Sequence, residues 1–363
     1  MAKYRRTDSR KKTITKLKEG IQLINAAIVG LGWWGQTLVE SVSKNSNKLR
    51  FATAVSRSGS DTAKNFSDLH KMNLVQNLGD ALGDPNIDAI VLATPHSLHA
   101  EEVIATAEAG KHVFCEKPFA LIKSEAEEAV AATEKAGVTL GLGYNRRLHP
   151  EMIKLRERIN SGELGEILHC EANMTFPNAL FLSADAWRAS KEETPCGGLT
   201  PMGVHAIDGM IDLCGEIDEV YCQSFNRAVA VDADDTTSML FRMKEGMSGY
   251  LSTMTATGGG FSFHVFGSKG HVRLEGMTHI AGAPSEERRK KCFGNCYFKP
   301  VKGTLKHWQA EETDIVKAVL ERFADAVNGT QPFMISASEM IHGVAVTETA
   351  VRSAASHKVE KVL

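Results

Sequence analysis

Asn25-Ala26-Ala27-Ile28-Val29-Gly30-Leu31-Gly32-Trp33-Trp34-Gly35 decides the fold. An apolar run bracketed by a turn signal is a buried strand, and here it runs into Gly-x-Gly-x-x-Gly followed by a helical pattern over Gln36 to Ser43. In such a turn Gly30 permits the tight bend. Gly32 lets backbone approach a pyrophosphate, and Gly35 lets helix and strand pack closely. The helix N-terminus then offers free N–H groups and the positive end of its dipole to phosphates. The flanking Trp33 and Trp34 are expected to pack over a bound dinucleotide at the solvent edge.

From residue 24 to about 145, short apolar runs alternate with amphipathic segments. Strands are expected at Ala26–Val29, Phe51–Val55, Ala89–Ala93, His112–Cys115 and Val138–Tyr144, with helices such as Leu98–Ala109 and Lys123–Lys135 between them. This alternation predicts a parallel sheet with right-handed crossovers. After Pro150 the texture changes. One more helix, Glu151–Ser161, precedes alternating stretches at Ile167–Phe176, Asp218–Ala228, Thr236–Met243, Met247–Met254, Phe261–Phe266 and His271–Leu274, which predict a large, mostly antiparallel sheet. Gly197–Leu213 interrupts them as a glycine turn and a helix. Residues 277–312, with the charge run Glu286–Lys291, read as an irregular solvated loop, and helices are expected at Glu312–Val327 and Ala337–Ser356. The expected organisation is a basic arm (1–23), a Rossmann dinucleotide-binding domain (24–147) and an α+β domain (148–363) for substrate and oligomerisation, its final helix returning toward the first domain.

Composition sets limits. The 363 residues suffice for two cores, and a net charge of -2 gives no overall attraction to nucleic acid or anionic membrane. Only the arm, with Lys3, Arg5, Arg6, Arg10, Lys11, Lys12, Lys16 and Lys18, is basic. It lacks the apolar core of a signal peptide and reads as a solvated segment or a contact for a partner subunit or a phosphate; nucleic-acid binding has no other support. No stretch approaches the roughly 18 apolar residues of a membrane span. Seven scattered cysteines argue against a disulfide framework, and the lone Cys292-x-x-x-Cys296 reads as structural, so no metal is expected and the protein is expected in the cytoplasm.

Together, Gly30-x-Gly32-x-x-Gly35, Ala93-Thr94-Pro95-His96-Ser97-Leu98-His99, Glu116-Lys117-Pro118, Asn145-Arg146-Arg147, Trp187-Arg188 and Gly197-Gly198 ahead of His205 resemble the glucose–fructose oxidoreductase / inositol dehydrogenase (Gfo/Idh/MocA) family. Phe266-Gly267-Ser268-Lys269-Gly270 and the closing helix with Arg352-Ser353-Ala354 extend the resemblance nearly to the end. It implies an NAD(P)-dependent dehydrogenase acting on a small polar molecule such as a sugar or cyclitol, and a homodimer or homotetramer through the second sheet. Thr94, Pro95, His96, His99, Asn145, Arg146, Trp187 and Arg188 match positions that the resemblance places near cofactor or substrate.

The chemistry can be argued beside it. Ligands of open parallel sheets sit beyond the carboxyl ends of the strands, where Thr94, Glu116, Lys117 and Tyr144 fall. Alcohol oxidation needs a hydride acceptor and a base for the hydroxyl proton. A lysine beside a cationic nicotinamide has its charged form disfavoured, so Lys117 is the expected general acid/base, in a loop fixed by Glu116 and Pro118. His205 is the second catalytic candidate and shares a helix face with Asp208; both, with Thr200 and Lys117, are candidates for touching substrate. The family pattern ends Asp-x-Gly-x-His-x-x-Asp, with an aspartate where this chain has Pro201 ahead of Gly203, His205 and Asp208, and proline can neither accept a proton nor orient the lysine. That departure leaves open a non-redox role, as a glycosidase using its nucleotide transiently or as a nucleotide-binding sensor. At the end of the second strand, about 20 residues past the glycine turn, where NAD enzymes place an acid, stands Val55-Ser56-Arg57-Ser58. Arg57 can pair a 2′-phosphate while Ser56 and Ser58 donate to it, with no carboxylate to repel it, so NADP(H) is expected over NAD(H).

Overall fold

In a computed structural model that describes residues 22–277, 283–290 and 292–363, the expected first sheet forms. Its six parallel strands are β1 (Ile24–Val29), β2 (Leu49–Val55), β3 (Asn73–Val75), β4 (Ala89–Leu92), β5 (His112–Cys115) and β6 (Leu140–Leu142), ordered β3-β2-β1-β4-β5-β6. The order reverses between β1 and β4, which opens a crevice at their carboxyl ends. Helices α1 (Trp33–Val42), α2 (Asp61–Leu69), α3 (Leu78–Leu82), α4 (His99–Glu108) and α5 (Lys123–Ala136) make the crossovers. Local chemistry sets their ends: Ser60 and Asn77 cap α2 and α3 through backbone N–H groups, and Gly137, at φ +66°, closes α5. β3 and α3 were not expected; at three and five residues they are too short to show a period.

The second sheet has nine strands ordered β14-β13-β12-β11-β7-β10-β9-β8-β15. β7 (Ile167–Thr175), β8 (Ile217–Phe225), β9 (Thr236–Met243), β10 (Ser248–Met254), β11 (Gly260–Gly267) and β12 (Gly270–Gly276) match the expected stretches, and only the β7–β10 pair is parallel. Its inner face packs on α6 (Pro150–Asn160) and α7 (Gly203–Cys214). The supposed loop of 277–312 is partly ordered: α8 (Ser285–Lys290), β13 (Asn295–Pro300) and β14 (Lys306–Gln309) lie within it. β13 pairs with β12 and alternates buried Cys296 and Phe298 with outward Tyr297 and Lys299, a pattern diluted by its polar residues.

Two C-terminal helices cross back. α9 (Ile315–Val327) inserts Val316, Val319, Leu320 and Phe323 beside Ile28, Leu38 and Phe114, with the Phe114 and Phe323 rings 5.6 Å apart. α10 (Ala337–Ser356) opens on a Ser336–Glu339 capping box and packs against α5 and β8. The Rossmann core is therefore completed by chain from the far end of the sequence. Among the described residues no helix is long and apolar enough to cross a membrane. The basic residues of the arm lie outside the described residues.

Candidate functional site

The glycine turn has the geometry that each glycine's expected part requires. Gly30 adopts φ +93°, and a Cβ there would stand 2.6 Å from the Ala93 carbonyl oxygen. A Cβ on Gly35 would fall 1.9 Å from the Gly30 oxygen, so only glycine lets α1 start so close to β1. At Gly32 a Cβ would meet nothing within 4 Å, which leaves open space at a helix end that has no side-chain cap. A dinucleotide's pyrophosphate fits such a cradle: exposed N–H groups, a dipole end and room for backbone approach.

The crevice widens into a cavity of about 330 Å³ between the two sheets. Trp33, Trp34, Thr94, His96, His99, Glu116, Lys117, Asn145, Arg146, Arg188 and His205 line it. Lys117, just past β5, donates from Nζ to the carbonyl oxygen of Pro201 at 2.8 Å. This corrects one expectation: the pyrrolidine cannot orient the lysine, but the backbone of the same residue does. Burial brings the Lys117 ammonium down to about 8; Glu116 opposes the fall, and Arg188 and Arg146 add to it. Glu116 is itself buried, which raises its carboxyl, and packs so tightly over Gly143 that a Cβ there would lie 2.7 Å from its oxygens.

His205 enters from the first turn of α7, its ring 5.9 Å from that of Tyr144. Burial, with Arg146 and Lys117 nearby, holds it well below the ordinary imidazole value, so it is neutral at pH 7. Its Nδ1 is buried without a hydrogen-bond partner among the described residues. The residue lines the cavity, and a neutral imidazole there can donate to, or accept from, a substrate hydroxyl.

Asp208 does not share that task. One turn on, its two carboxylate oxygens accept from Arg147, the closest at 2.6 Å, and Arg147 also pairs with Glu339 at 2.7 Å and Asp212 at 3.4 Å. Its carboxylate is spent joining α7 to α10 and the Arg147 turn. Thr200 is likewise turned away, fully buried and donating to the Pro195 carbonyl. The helix starts at Gly203, so Thr200 lies before it in the glycine turn.

His99 holds the loops: Nδ1 lies 2.7 Å from the Pro118 oxygen and Nε2 3.1 Å from that of Thr94. His96 contacts the Glu193 carbonyl at 2.7 Å and packs edge-on to Trp187, over which the Arg188 guanidinium lies at 3.9 Å. Trp187 thus supports Arg188 rather than lining the cavity itself. Pro95 starts the short turn His96–Leu98. Ser56, Arg57 and Ser58 stand at the open end of β2, outside the cavity wall, with the two serine hydroxyls 3.4 Å apart. A carboxylate does approach Arg57, contrary to expectation: Glu102 of α4 accepts from Thr94 at 2.5 Å and feels Arg57 electrostatically. No spacing in the sequence links residues 57 and 102; the sheet order does.

Several lining residues lay beyond sequence reasoning, among them Phe176, Asn178, Asp234, Thr255, Arg288 and Cys292. Arg288, in the run read as solvated, donates to Thr37 of α1 at 2.8 Å and stacks over Trp33 at 5.2 Å. A helical i, i+4 pair, Glu286 with Lys290, was the one available sign that this run is ordered.

Fold and site define a dinucleotide-binding oxidoreductase with a cavity between its two sheets. Residues 24–144 match the oxidoreductase family with an NAD-binding Rossmann fold, and residues 152–273 match the GFO/IDH/MocA C-terminal domain. The chain belongs to the Gfo/Idh/MocA family of NAD(P)-dependent oxidoreductases. It is 31% identical over 264 residues to the uncharacterized oxidoreductase YrbE of Bacillus subtilis, covering 69% of this chain and 74% of that one. It is 30% identical over 232 residues to the myo-inositol 2-dehydrogenase of Thermotoga maritima, covering 60% and 66%. The fold recurs in a candidate NADPH-dependent oxidoreductase from Desulfitobacterium hafniense, with TM-score 0.85 and 24% identity over 94% of this chain and 98% of that one.

Proposed function

We propose that this protein interconverts a secondary alcohol and a carbonyl on a small polar polyol, sugar or cyclitol, with Lys117 as general acid/base and His205 holding the reacting oxygen. One observation carries the reading: the Lys117 amine and the neutral His205 ring line one cavity at the carboxyl end of β5, and among the described residues the sole hydrogen-bond partner of the amine is a carbonyl oxygen. Such an amine is held in place without a hydrogen-bonded carboxylate, and burial outweighs the opposing pull of Glu116 on its charge. The bound nicotinamide would supply the hydride acceptor, and Gly30, Gly32, Gly35 and the first turn of α1 would hold its phosphates. Lys117 then takes the hydroxyl proton in oxidation and returns it in reduction, while His205 donates to or accepts from the same oxygen. The myo-inositol dehydrogenase among the relatives is of this kind by name. The Pro201 carbonyl, by orienting the lysine, removes the main reason for a non-redox role.

NADP(H) is the proposed cofactor, supported by Arg57 standing exposed at the end of β2 between two serine hydroxyls. Self-association is proposed through the outer face of the second sheet, where Leu240, 56% exposed, lies in register between Tyr221 and Tyr250. Seven buried, free cysteines support a reducing, cytoplasmic setting. A panel of polyols, sugars and cyclitols incubated with NADP⁺ or NAD⁺ and followed by cofactor absorbance tests the reading. Reduction with at least one member is expected, faster with NADP⁺; no reduction across the panel with either cofactor overturns it.

A further inference from the structure

Two adjacent arginines on one short turn have opposite surroundings. Arg147 is paired with Asp208, Asp212 and Glu339. Arg146 has no carboxylate partner among the described residues. Its guanidinium carbon lies 4.4 Å from the centre of the Phe261 ring, Nη1 reaches the Met174 sulfur at 3.6 Å, and the Cys292 thiol bonds to the guanidinium as well, both sulfurs being weak acceptors. Arg188, set over Trp187, likewise makes no ion pair among the described residues; Glu193, the acid that acts on it electrostatically, accepts from Ser97. With Lys117 and Arg288 these make four cations lining one cavity. The acids that line it are Glu116, folded under Gly143, and Asp234, engaged by Ser224 and Lys191.

An enclosed cation with unspent donors is costly unless something anionic meets it. The cofactor's phosphates have their own cradle at Gly30–Gly35, where Arg288 and Trp33 stand. Arg146 instead abuts Met174 and Phe261, on strands β7 and β11 of the second sheet. We propose that the substrate is a carboxylated polyol, a sugar acid or cyclitol acid, whose carboxylate is bound by Arg146 with Arg188 in support. Engaged by two sulfurs and no oxygen among the described residues, the guanidinium keeps N–H donors for a planar carboxylate, which its fork can meet with two parallel hydrogen bonds. This rests on the redox reading for the reaction but not for the binding.

The test separates the two. Binding of glucuronate and of glucose to the NADP⁺ complex is measured by calorimetry, and turnover of each by cofactor absorbance. The wild type is expected to favour the carboxylated member on the order of 100-fold, and Arg146→Gln to erase most of that ratio. Arg146→Lys, which keeps the charge and loses the fork, should retain part of it. The dissociation constant for NADP⁺ should move less than about threefold in either variant. A wild type that binds the two sugars equally, or a variant that loses NADP⁺ rather than the ratio, overturns the proposal. Tight binding of the acid with no cofactor reduction would leave this proposal standing and sink the redox reading instead.

Discussion

Replacing Lys117 by Arg asks whether the site needs a positive charge or an exchangeable proton. Enclosure brings the Lys117 ammonium from an ordinary 10.5 down to about 8, a drop worth about 3 kcal/mol. At pH 7 that makes the neutral amine roughly 300-fold more abundant than in a solvated lysine. Arginine keeps the charge, but it stays protonated at every accessible pH and cannot take the hydroxyl proton. The sign follows from the direction of the shift. Oxidation needs the neutral amine, so its rate should rise with pH through about 8 and then level; reduction needs the ammonium and should fall over the same window. Lys117→Arg and Lys117→Met should both lose about 10²–10⁴ in kcat for oxidation and lose the inflection, with NADP⁺ binding retained. Initial rates from about pH 6 to about pH 10, read at the reduced-nicotinamide wavelength, give both numbers. If Lys117→Arg keeps kcat within about tenfold and the inflection near 8, another group moves the proton and the assignment fails.

The glycines of the turn should separate folding from binding. Gly35→Ala sets a Cβ 1.9 Å from the Gly30 oxygen and should cost about 2–4 kcal/mol in thermal denaturation, whereas Gly32→Ala, with nothing within 4 Å, should melt as the wild type and bind NADP⁺ at least about tenfold more weakly. Equal melting of the two variants would contradict the packing argument. Arg147→Met leaves Asp208, Asp212 and Glu339 without their shared cation and should cost about 3–5 kcal/mol in urea denaturation; a cost under about 1 would mean the cluster is solvated. Arg57→Asp should weaken NADPH binding about 10- to 100-fold relative to NADH, and an unchanged ratio would assign the 2′-phosphate elsewhere.

What the sequence disclosed follows from how far each signal reaches. The β1–turn–α1 unit is local, so Gly30, Gly32 and Gly35 could each be given a part from spacing alone. The strands of the second sheet announced themselves by alternation, as at Thr236–Met243, where the expected and observed bounds coincide. Asp208 was misread because a helical spacing shows which residues share a face but not which partner waits there. That partner, Arg147, comes from a different element. Glu102 near Arg57, Phe323 against Phe114 and Arg288 over Trp33 depend on tertiary closure, and no window of sequence contains both members. Pro201 teaches the converse: its side chain lacks the family's function, yet its carbonyl supplies an acceptor that any residue there could offer.

Hydride transfer is the central claim, and isotope tracing tests it most directly. A substrate found in the panel is prepared with deuterium on its carbinol carbon and incubated with NADP⁺ and the wild-type protein, and the reduced cofactor is examined by NMR. Deuterium is expected to accumulate at C4 of the nicotinamide in proportion to carbonyl product. Substrate consumption with no net label or reduction in the cofactor would contradict the claim.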